Sequence, residues 1–331
     1  MNSGLKMRVK YVIICVLISA GVTAGGVKAC FDLSVRDAAY DEDRDVHLLT
    51  VIAEDGDPGG EEIFAGLEEW LAGAGQKLNL DLELVDVDAP GVSWPAYGIP
   101  SAPPAVPVVV LTGRRQATLG GMSFLVDHWE PGPDKKELDR LKTSPVREEI
   151  RKAAGRSMAV LVFIPGSDSY ENSAAQVVDE VARSWSDKTP LGVPVLRVER
   201  TEAAERLLLA FLGVKDTGPP WAGVVFGRGK LMAPLVGEDI TAENLNTRLE
   251  TLAADCTCLQ SSSSLGVDLP MEWDGRDDAE VLALKTGLRL DGSMPARTGI
   301  PAVVFLTFGG LVILVVFASF WIVRRSNGRP V

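Results

Sequence analysis

The chain contains an internal duplication. Residues 97–114 (YGIPSAPPAVPVVVLTGR) and residues 212–230 (LGVKDTGPPWAGVVFGRGK) follow one pattern: an apolar-Gly-apolar triplet, a Pro-Pro pair, four apolar residues and a Gly-Arg turn. The two copies begin about 115 residues apart. Because self-similarity at a fixed spacing indicates repeated structural units, we expect two domains of the same fold.

Similar elements precede both copies. Short continuous apolar runs at 47–54 and 158–165 are typical of buried central strands. A segment with apolar residues at helical spacing follows each run, and a further strand follows each helix, at 80–87 and 193–198. The order strand, helix, strand, proline-introduced strand pair and closing helix resembles the thioredoxin fold. This resemblance predicts an α/β fold class with two tandem thioredoxin-like domains, and it makes Pro107 and Pro220 the candidates for the family's cis-proline.

Neither domain has the thioredoxin cysteines. Residues 53–59 (AEDGDPG) look like the family's Ala-Glu-Trp-Cys-Gly-Pro-Cys with Gly56 and Gly59 in place of the two thiols, and residues 165–170 also have no cysteine. Dithiol exchange needs both thiols at the start of the first helix, where the helix dipole lowers the pKa of the nucleophile. We therefore predict no catalytic residue at either position and a protein that is not an enzyme.

Both ends of the chain are apolar. Basic residues, a short apolar run and small residues predict a signal peptide over 1–29. Residues 301–323 have no charged side chain and would span about 35 Å as a helix, enough for a transmembrane helix. Arginines follow at once, so the positive-inside rule predicts a cytoplasmic tail at 324–331 and an extracytoplasmic remainder. The expected location is a bacterial cell membrane, with type I topology; an uncleaved signal anchor and a buried core helix are the alternatives for the two runs.

The remaining residues divide into three parts. We predict one thioredoxin-like domain at 30–143, a second at 144–258 that opens with a linking helix capped by Ser144, and a stalk at 259–300 that begins with four serines. The formal net charge of −12 excludes nucleic acid as a favoured partner, because a phosphate backbone repels an acidic surface.

Three cysteines remain after removal of the predicted signal peptide: Cys30, Cys256 and Cys258. Cys30 can pair with one of the other two, the other two can pair with each other, or both can hold a soft metal. Lipidation of Cys30 is a further possibility. The two histidines of the chain have no other ligand type at metal spacing, so we predict no zinc site and no cofactor.

Several segments resemble an uncharacterised family of bacterial exported membrane proteins that has no established activity. The segments are 30–39 (CFDLSVRDAA), 144–149 (SPVREE), 196–200 (LRVER), 226–230 (FGRGK), 256–258 (CTC) and 266–269 (GVDL). Because the fold's pattern is intact and its redox residues are missing, the function we expect is a non-catalytic, membrane-anchored module that binds a protein partner. The alternatives are a thiol-redox or metal-handling protein that uses Cys256 and Cys258, and an accessory subunit of a membrane transporter.

Overall fold

A computed structural model of the chain describes residues 34–73, 77–90, 92–99, 106–115, 122–166, 171–254, 265–274, 276–279 and 281. The chain divides into one compact unit that ends at Trp273 and a second that starts at Asp274. The predicted signal peptide, the three cysteines that follow it (Cys30, Cys256 and Cys258) and the predicted transmembrane helix at 301–323 lie outside the described residues. Within the described ranges, no helix is long and apolar enough to cross a membrane.

The first domain contains a four-stranded sheet. Its elements in chain order are β1 (His47–Ala53), α2 (Pro58–Gly73), β2 (Leu80–Asp86), a 3₁₀ helix (Trp94–Tyr97), β3 (Val108–Arg115), β4 (Met122–Trp129) and α3 (Lys135–Lys142), preceded by the short helix α1 (Val35–Ala38). The strand order is β2-β1-β3-β4. Strands β1 and β2 are parallel, whereas β3 is antiparallel to both of its neighbours.

The second domain repeats this arrangement. Its elements are α4 (Pro145–Ala154), β5 (Val160–Ile164), α5 (Glu171–Lys188), β6 (Val195–Arg197), a 3₁₀ helix (Ala203–Glu205), α6 (Arg206–Phe211), β7 (Trp221–Phe226), β8 (Lys230–Met232), β9 (Leu235–Val236), a 3₁₀ helix (Gly237–Asp239), α7 (Ala242–Ala253) and β10 (Gly266–Asp268). The sheet order is β10-β8-β7-β5-β6, and β9 also pairs with β7.

Both domains have the thioredoxin-like strand arrangement. In each, a helix joins two parallel strands, the third strand lies antiparallel beside the first, and a fourth strand forms a hairpin with the third before helices follow. The apolar runs become the buried central strands: all seven residues of β1 and all five of β5 are buried. The predicted thioredoxin-like α/β fold is therefore confirmed.

The two domains share one hydrophobic core. Leu49 and Val109 of the first sheet belong to the same buried cluster as Val162 and Val225 of the second, and Ile150 of the linking helix α4 lies among them. The second sheet's other face packs against α1, α5 and α7 in a separate cluster. Burial of this joint core stabilises the two domains as a single block, which the sequence pattern did not predict.

The linking helix is held at both ends by residues from other elements. Glu205, which is fully buried, accepts hydrogen bonds from the Ser144 hydroxyl (2.6 Å) and from the Val146 N–H (2.8 Å) at the start of α4. At the other end, the Tyr40 hydroxyl donates to the Ala154 carbonyl at 2.7 Å. The orphan groups at both ends of the helix thus find partners inside the fold.

Part of the predicted stalk belongs to the fold. Residues 266–268 form β10 antiparallel to β8, and residues 269–273 continue as an extended segment in which Leu269, Met271 and Trp273 are buried. We call residues 265–273 the strap. The expectation that a solvated stalk begins at residue 259 is wrong for these residues, because their alternate apolar side chains complete the shared core.

Candidate functional site

The start of α2 in the first domain is the position that corresponds to a thioredoxin active site. The Asp57 carboxylate accepts hydrogen bonds from the backbone N–H groups of Gly59 (3.2 Å) and Gly60 (2.9 Å). These are the N–H groups that would lower the pKa of a thiol at a helix start. A fixed carboxylate therefore occupies the anion-stabilising end of the helix.

The glycines around this turn differ in whether the surrounding structure has room for a side chain. Gly56 has φ +71°, a conformation that side chains rarely adopt, whereas a Cβ on Gly59 would meet only Asp57 atoms at 3.5 Å or more. A Cβ on Gly60 would lie 2.4 Å from the Ala53 Cβ. Gly60, which the sequence analysis did not single out, is thus the glycine that lets α2 approach β1.

An acidic depression of about 230 Å³ lies beside this turn. Residues 53–57, Glu61 and residues 84–86 line it, so five carboxylates surround it. Within the described ranges, no group of three or more His, Cys, Asp or Glu side chains is arranged to hold a metal ion. The depression is an acidic surface feature without the geometry of a metal centre.

At the corresponding position of the second domain, the described residue Gly166 packs against the loop before β7. A Cβ on Gly166 would lie 2.6 Å from the Pro220 ring nitrogen. Arg200 links its own loop to two others: it donates to the carbonyl of Pro165 (2.6 Å) after β5, and to the carbonyls of Lys215 (2.6 Å) and Pro219 in the loop before β7. Arg200 therefore has a structural role, because it holds the loop before β7 next to the end of β5.

The structure distinguishes the two cis-proline candidates. Among the described residues, cis peptide bonds precede Pro107 and Pro131. The bond before Pro220 is trans, so the expectation for Pro220 is wrong. The close contact between Pro220 and Gly166 places this proline beside the end of β5.

Two depressions on the second domain share the lining residues Arg200 and Val214, and together we call them the groove. One has a volume of about 410 Å³ and is lined by residues 200–203, Arg206, Leu209, Ala210, Val214 and Asp216. The other has a volume of about 270 Å³ and is lined by Arg200, residues 212–215, residues 217–219, Trp221, Pro234 and Val236. Val236, which lines the smaller depression, is 40% exposed, whereas the neighbouring Trp221 is buried.

The glycine-rich turn Phe226–Lys230 is neither a binding loop nor an ordinary solvated turn. Phe226 and Lys230 are buried, and Cβ atoms on Gly227 and Gly229 would lie 2.6 Å from the Ala39 Cβ and 2.5 Å from the Met271 sulfur. Both glycines have positive φ. The turn is therefore an internal corner between α1 and the strap.

Lys230 belongs to a buried cluster that joins the two domains. Its Nζ lies 2.9 Å from Asp268 Oδ2 and 3.9 Å from Asp45 Oδ2. The two aspartates also exchange hydrogen bonds, because each carboxylate accepts from the other residue's backbone N–H, at 2.8 and 2.9 Å. We call Asp45, Lys230 and Asp268 the clasp; it connects the entry to β1, the strand β8 and the strap.

His47 lies beside the clasp and is fully satisfied as a neutral ring. Its Nδ1 accepts from the Arg114 N–H at 3.1 Å, so Nε2 carries the proton and donates to the Asp268 carbonyl at 2.7 Å. Burial lowers the pKa of His47 to about 4, against the opposing effect of the Asp268 carbonyl. With both ring nitrogens engaged, His47 is a structural residue rather than a general base.

The arginines of the family-like segments are structural as well. Arg36 donates to the Ser157 carbonyl (2.8 Å), and Arg147 donates to the carbonyls of Leu141 (3.0 Å) and Pro270 (2.6 Å). Burial lowers the pKa of Arg147 to about 10, which leaves it charged at neutral pH. These residues stabilise the packing between the domains, the linking helix and the strap.

Comparisons with known proteins add little. No protein-family model matches the chain, and no curated protein matches it significantly. Among solved structures, it is similar to the first two thioredoxin domains of Eps1p from Saccharomyces cerevisiae: 11% identity, 62% of this chain and 92% of that chain covered, TM-score 0.23. The same domains of Naumovozyma dairenensis Eps1p give 10% identity, 70% and 100% coverage and a TM-score of 0.25.

A third similar structure is the NTD_N/C domain of the alkylhydroperoxide reductase AhpF from Enterococcus faecalis, with 14% identity, 65% of this chain and 94% of that chain covered, and a TM-score of 0.22. TM-scores this low carry no argument about function. The fold assignment rests on the strand topology itself.

Proposed function

We propose that this chain is a non-catalytic module, anchored in a bacterial membrane with its domains outside the cytoplasm, that binds a protein partner. The observation that carries the proposal is the Asp57 carboxylate bound to the Gly59 and Gly60 N–H groups. A thioredoxin-like domain whose helix start is occupied by an acceptor has no place for a reactive thiolate.

Two further features support binding rather than chemistry. The shared core makes the two domains a rigid support, and rigid supports lose little conformational entropy when they bind. The groove presents the exposed side chain of Val236 on this support. Anchoring rests on the sequence alone: the signal peptide at 1–29, the transmembrane helix at 301–323 and the resemblance to exported bacterial membrane proteins.

Site-specific photo-crosslinking in the native membrane tests the proposal. A photoreactive amino acid replaces Val236 in the full-length protein, and Leu191, which is similarly exposed at 38%, is the matched control position. We expect a discrete crosslinked protein from position 236 and none from position 191. Equal crosslinking from both positions, or none from position 236, would contradict binding at the groove.

The thiol-redox or metal-handling alternative depends on the state of three cysteines. The Val35 N–H donates to the Ala254 carbonyl at 3.0 Å, which brings the chain just after Cys30 next to the chain just before Cys256. Cys30 lies five positions before Val35, and Cys256 lies two positions after Ala254, so both cysteines are tethered close to this hydrogen bond. A disulfide from Cys30 to Cys256 or Cys258 is therefore within reach.

Peptide mass spectrometry with and without reductant decides this alternative. A permanent disulfide from Cys30 leaves one thiol of the Cys-Thr-Cys segment, which supports the interaction module. A reversibly reduced Cys256–Cys258 pair, or a copper ion bound by both, would support the alternative instead.

A further inference from the structure

We propose that the free edge of β2, together with the acidic depression at the start of α2, docks an extended segment of the partner rich in lysine or arginine. This inference rests on the proposed function and names a second contact surface and the chemistry of its partner. It adds a strand-pairing mode of binding, in which backbone hydrogen bonds supply affinity and alternate side chains supply specificity.

The outer edge of β2 carries backbone groups that are not paired with any described strand; the Leu82 N–H among them donates to the Asp81 carboxylate at 2.9 Å. In the parallel pairing with β1, the His47 N–H donates to the Asn79 carbonyl and the Val87 N–H donates to the Ala53 carbonyl. The odd-numbered residues of β2 therefore face β1, and the N–H and C=O groups of the even-numbered residues point away from it. Among the described strands, none pairs with this outer edge.

The side chains along this edge become more exposed toward the depression. Leu80 and Leu82 are partly buried against the shared core, whereas Leu84 is 44% exposed. Leu84 also lines the acidic depression. A strand added beside β2 would cover Leu84 and place one of its side chains over the depression, because side chains on one face of a sheet are neighbours across strands.

The negative charge around this edge indicates that the partner segment is positively charged. Between Val46 and Gly113 the chain has eleven acidic residues and one basic residue, Lys77. Nearly all of the chain's net negative charge is thus concentrated in the segment that builds β1, α2 and β2. Such an edge repels acidic strands and a second copy of itself, whereas it attracts a segment with positive side chains.

A peptide-binding experiment on the full-length protein tests the inference. The probe is a fluorescent eight-residue peptide of alternating lysine and valine, and a glutamate–valine peptide of the same length is the comparator. We expect the lysine peptide to bind, with affinity falling about tenfold between about 50 and about 300 mM salt because exposed charges are screened. We expect no binding of the glutamate peptide.

Variants then locate the site. Leu84→Pro removes an outward N–H that β1 does not use, so the sheet is retained while the edge loses a donor. Glu54→Gln with Asp55→Asn removes two charges at the depression, and Glu68→Gln with Glu69→Gln removes two exposed charges elsewhere on α2 as the matched control. We expect the first two changes to weaken binding about fivefold or more, and the control about twofold or less.

Either of two outcomes would overturn the inference: lysine-peptide binding that survives both Leu84→Pro and the Glu54/Asp55 change, or equal weakening by the matched control. Because the Glu54/Asp55 side chains are exposed, that variant tests the site even if Leu84→Pro fails to fold. Crosslinking from Val236 is independent of this edge, so failure here is distinguishable from failure of the proposed function.

Discussion

Removing the positive charge of the clasp should destabilise the whole two-domain block. Lys230 is 2% exposed, and its two aspartate partners are 3% and 1% exposed. At an effective dielectric constant of about 20, the 2.9 Å and 3.9 Å separations correspond to attractions of about 6 and about 4 kcal/mol. The free-energy cost of removing the lysine from water offsets most of this attraction. The sum of the two attractions is therefore not the loss of stability that we expect when the lysine is replaced.

The expected loss comes from what Lys230→Met leaves behind. The buried Asp268 carboxylate would lose the cation that lies 2.9 Å away, and removal of one partner from a buried ion pair costs about 3–5 kcal/mol. Chemical denaturation of the purified protein at neutral pH, followed by tryptophan fluorescence, measures this as a lower unfolding midpoint with an unchanged slope. Lys215→Met, at an exposed lysine, is the control and should change stability by less than about 0.5 kcal/mol.

A double-mutant cycle tests the reasoning. Asp268→Asn keeps an oxygen for the Asp45 N–H but removes one of the two charges, so Lys230→Met with Asp268→Asn should cost less than the sum of the single changes. We expect a coupling energy of about 2 kcal/mol. Additive losses, or a Lys230→Met loss below about 1 kcal/mol, would refute the view that the clasp joins the domains.

Three further predictions concern other positions. In the unfolded chain the pKa of His47 is about 6.5, whereas burial lowers it to about 4 in the folded protein. The free energy of unfolding should therefore fall by up to about 3 kcal/mol as the pH drops from about 6.5 to about 4. Urea titrations at several pH values should show this loss in the natural protein, and His47→Asn should lack it. Gly60→Ala should cost about 1–3 kcal/mol, because its Cβ meets Ala53, while Gly59→Ala should be neutral or slightly stabilising; thermal melts that show equal effects would contradict the packing of α2. Met271→Ala should cost about 2–5 kcal/mol if the strap is part of the core, and a surface-like loss below about 0.5 kcal/mol in denaturant titrations would show that it is not.

Local patterns in the sequence were sufficient to predict the elements. Apolar runs predicted β1 and β5, helical spacing predicted α2 and α5, and Ser144 with Pro145 predicted the start of α4. These features depend on neighbours along the chain, because periodicity and capping are local properties of the backbone. The absence of thiols at Gly56 and Gly59 is equally a property of the sequence alone.

Only the tertiary structure decided how those elements are joined. The clasp brings together Asp45 and Asp268, which are 223 positions apart, and no local pattern indicates that two aspartates and a lysine will share one buried site. The strap was predicted to belong to a stalk because it follows four serines in a segment rich in Asp and Gly. The strap and the Phe226–Lys230 turn are buried because they fill space between the two packed domains. That space does not exist until the two domains pack against each other, so no local pattern can indicate it.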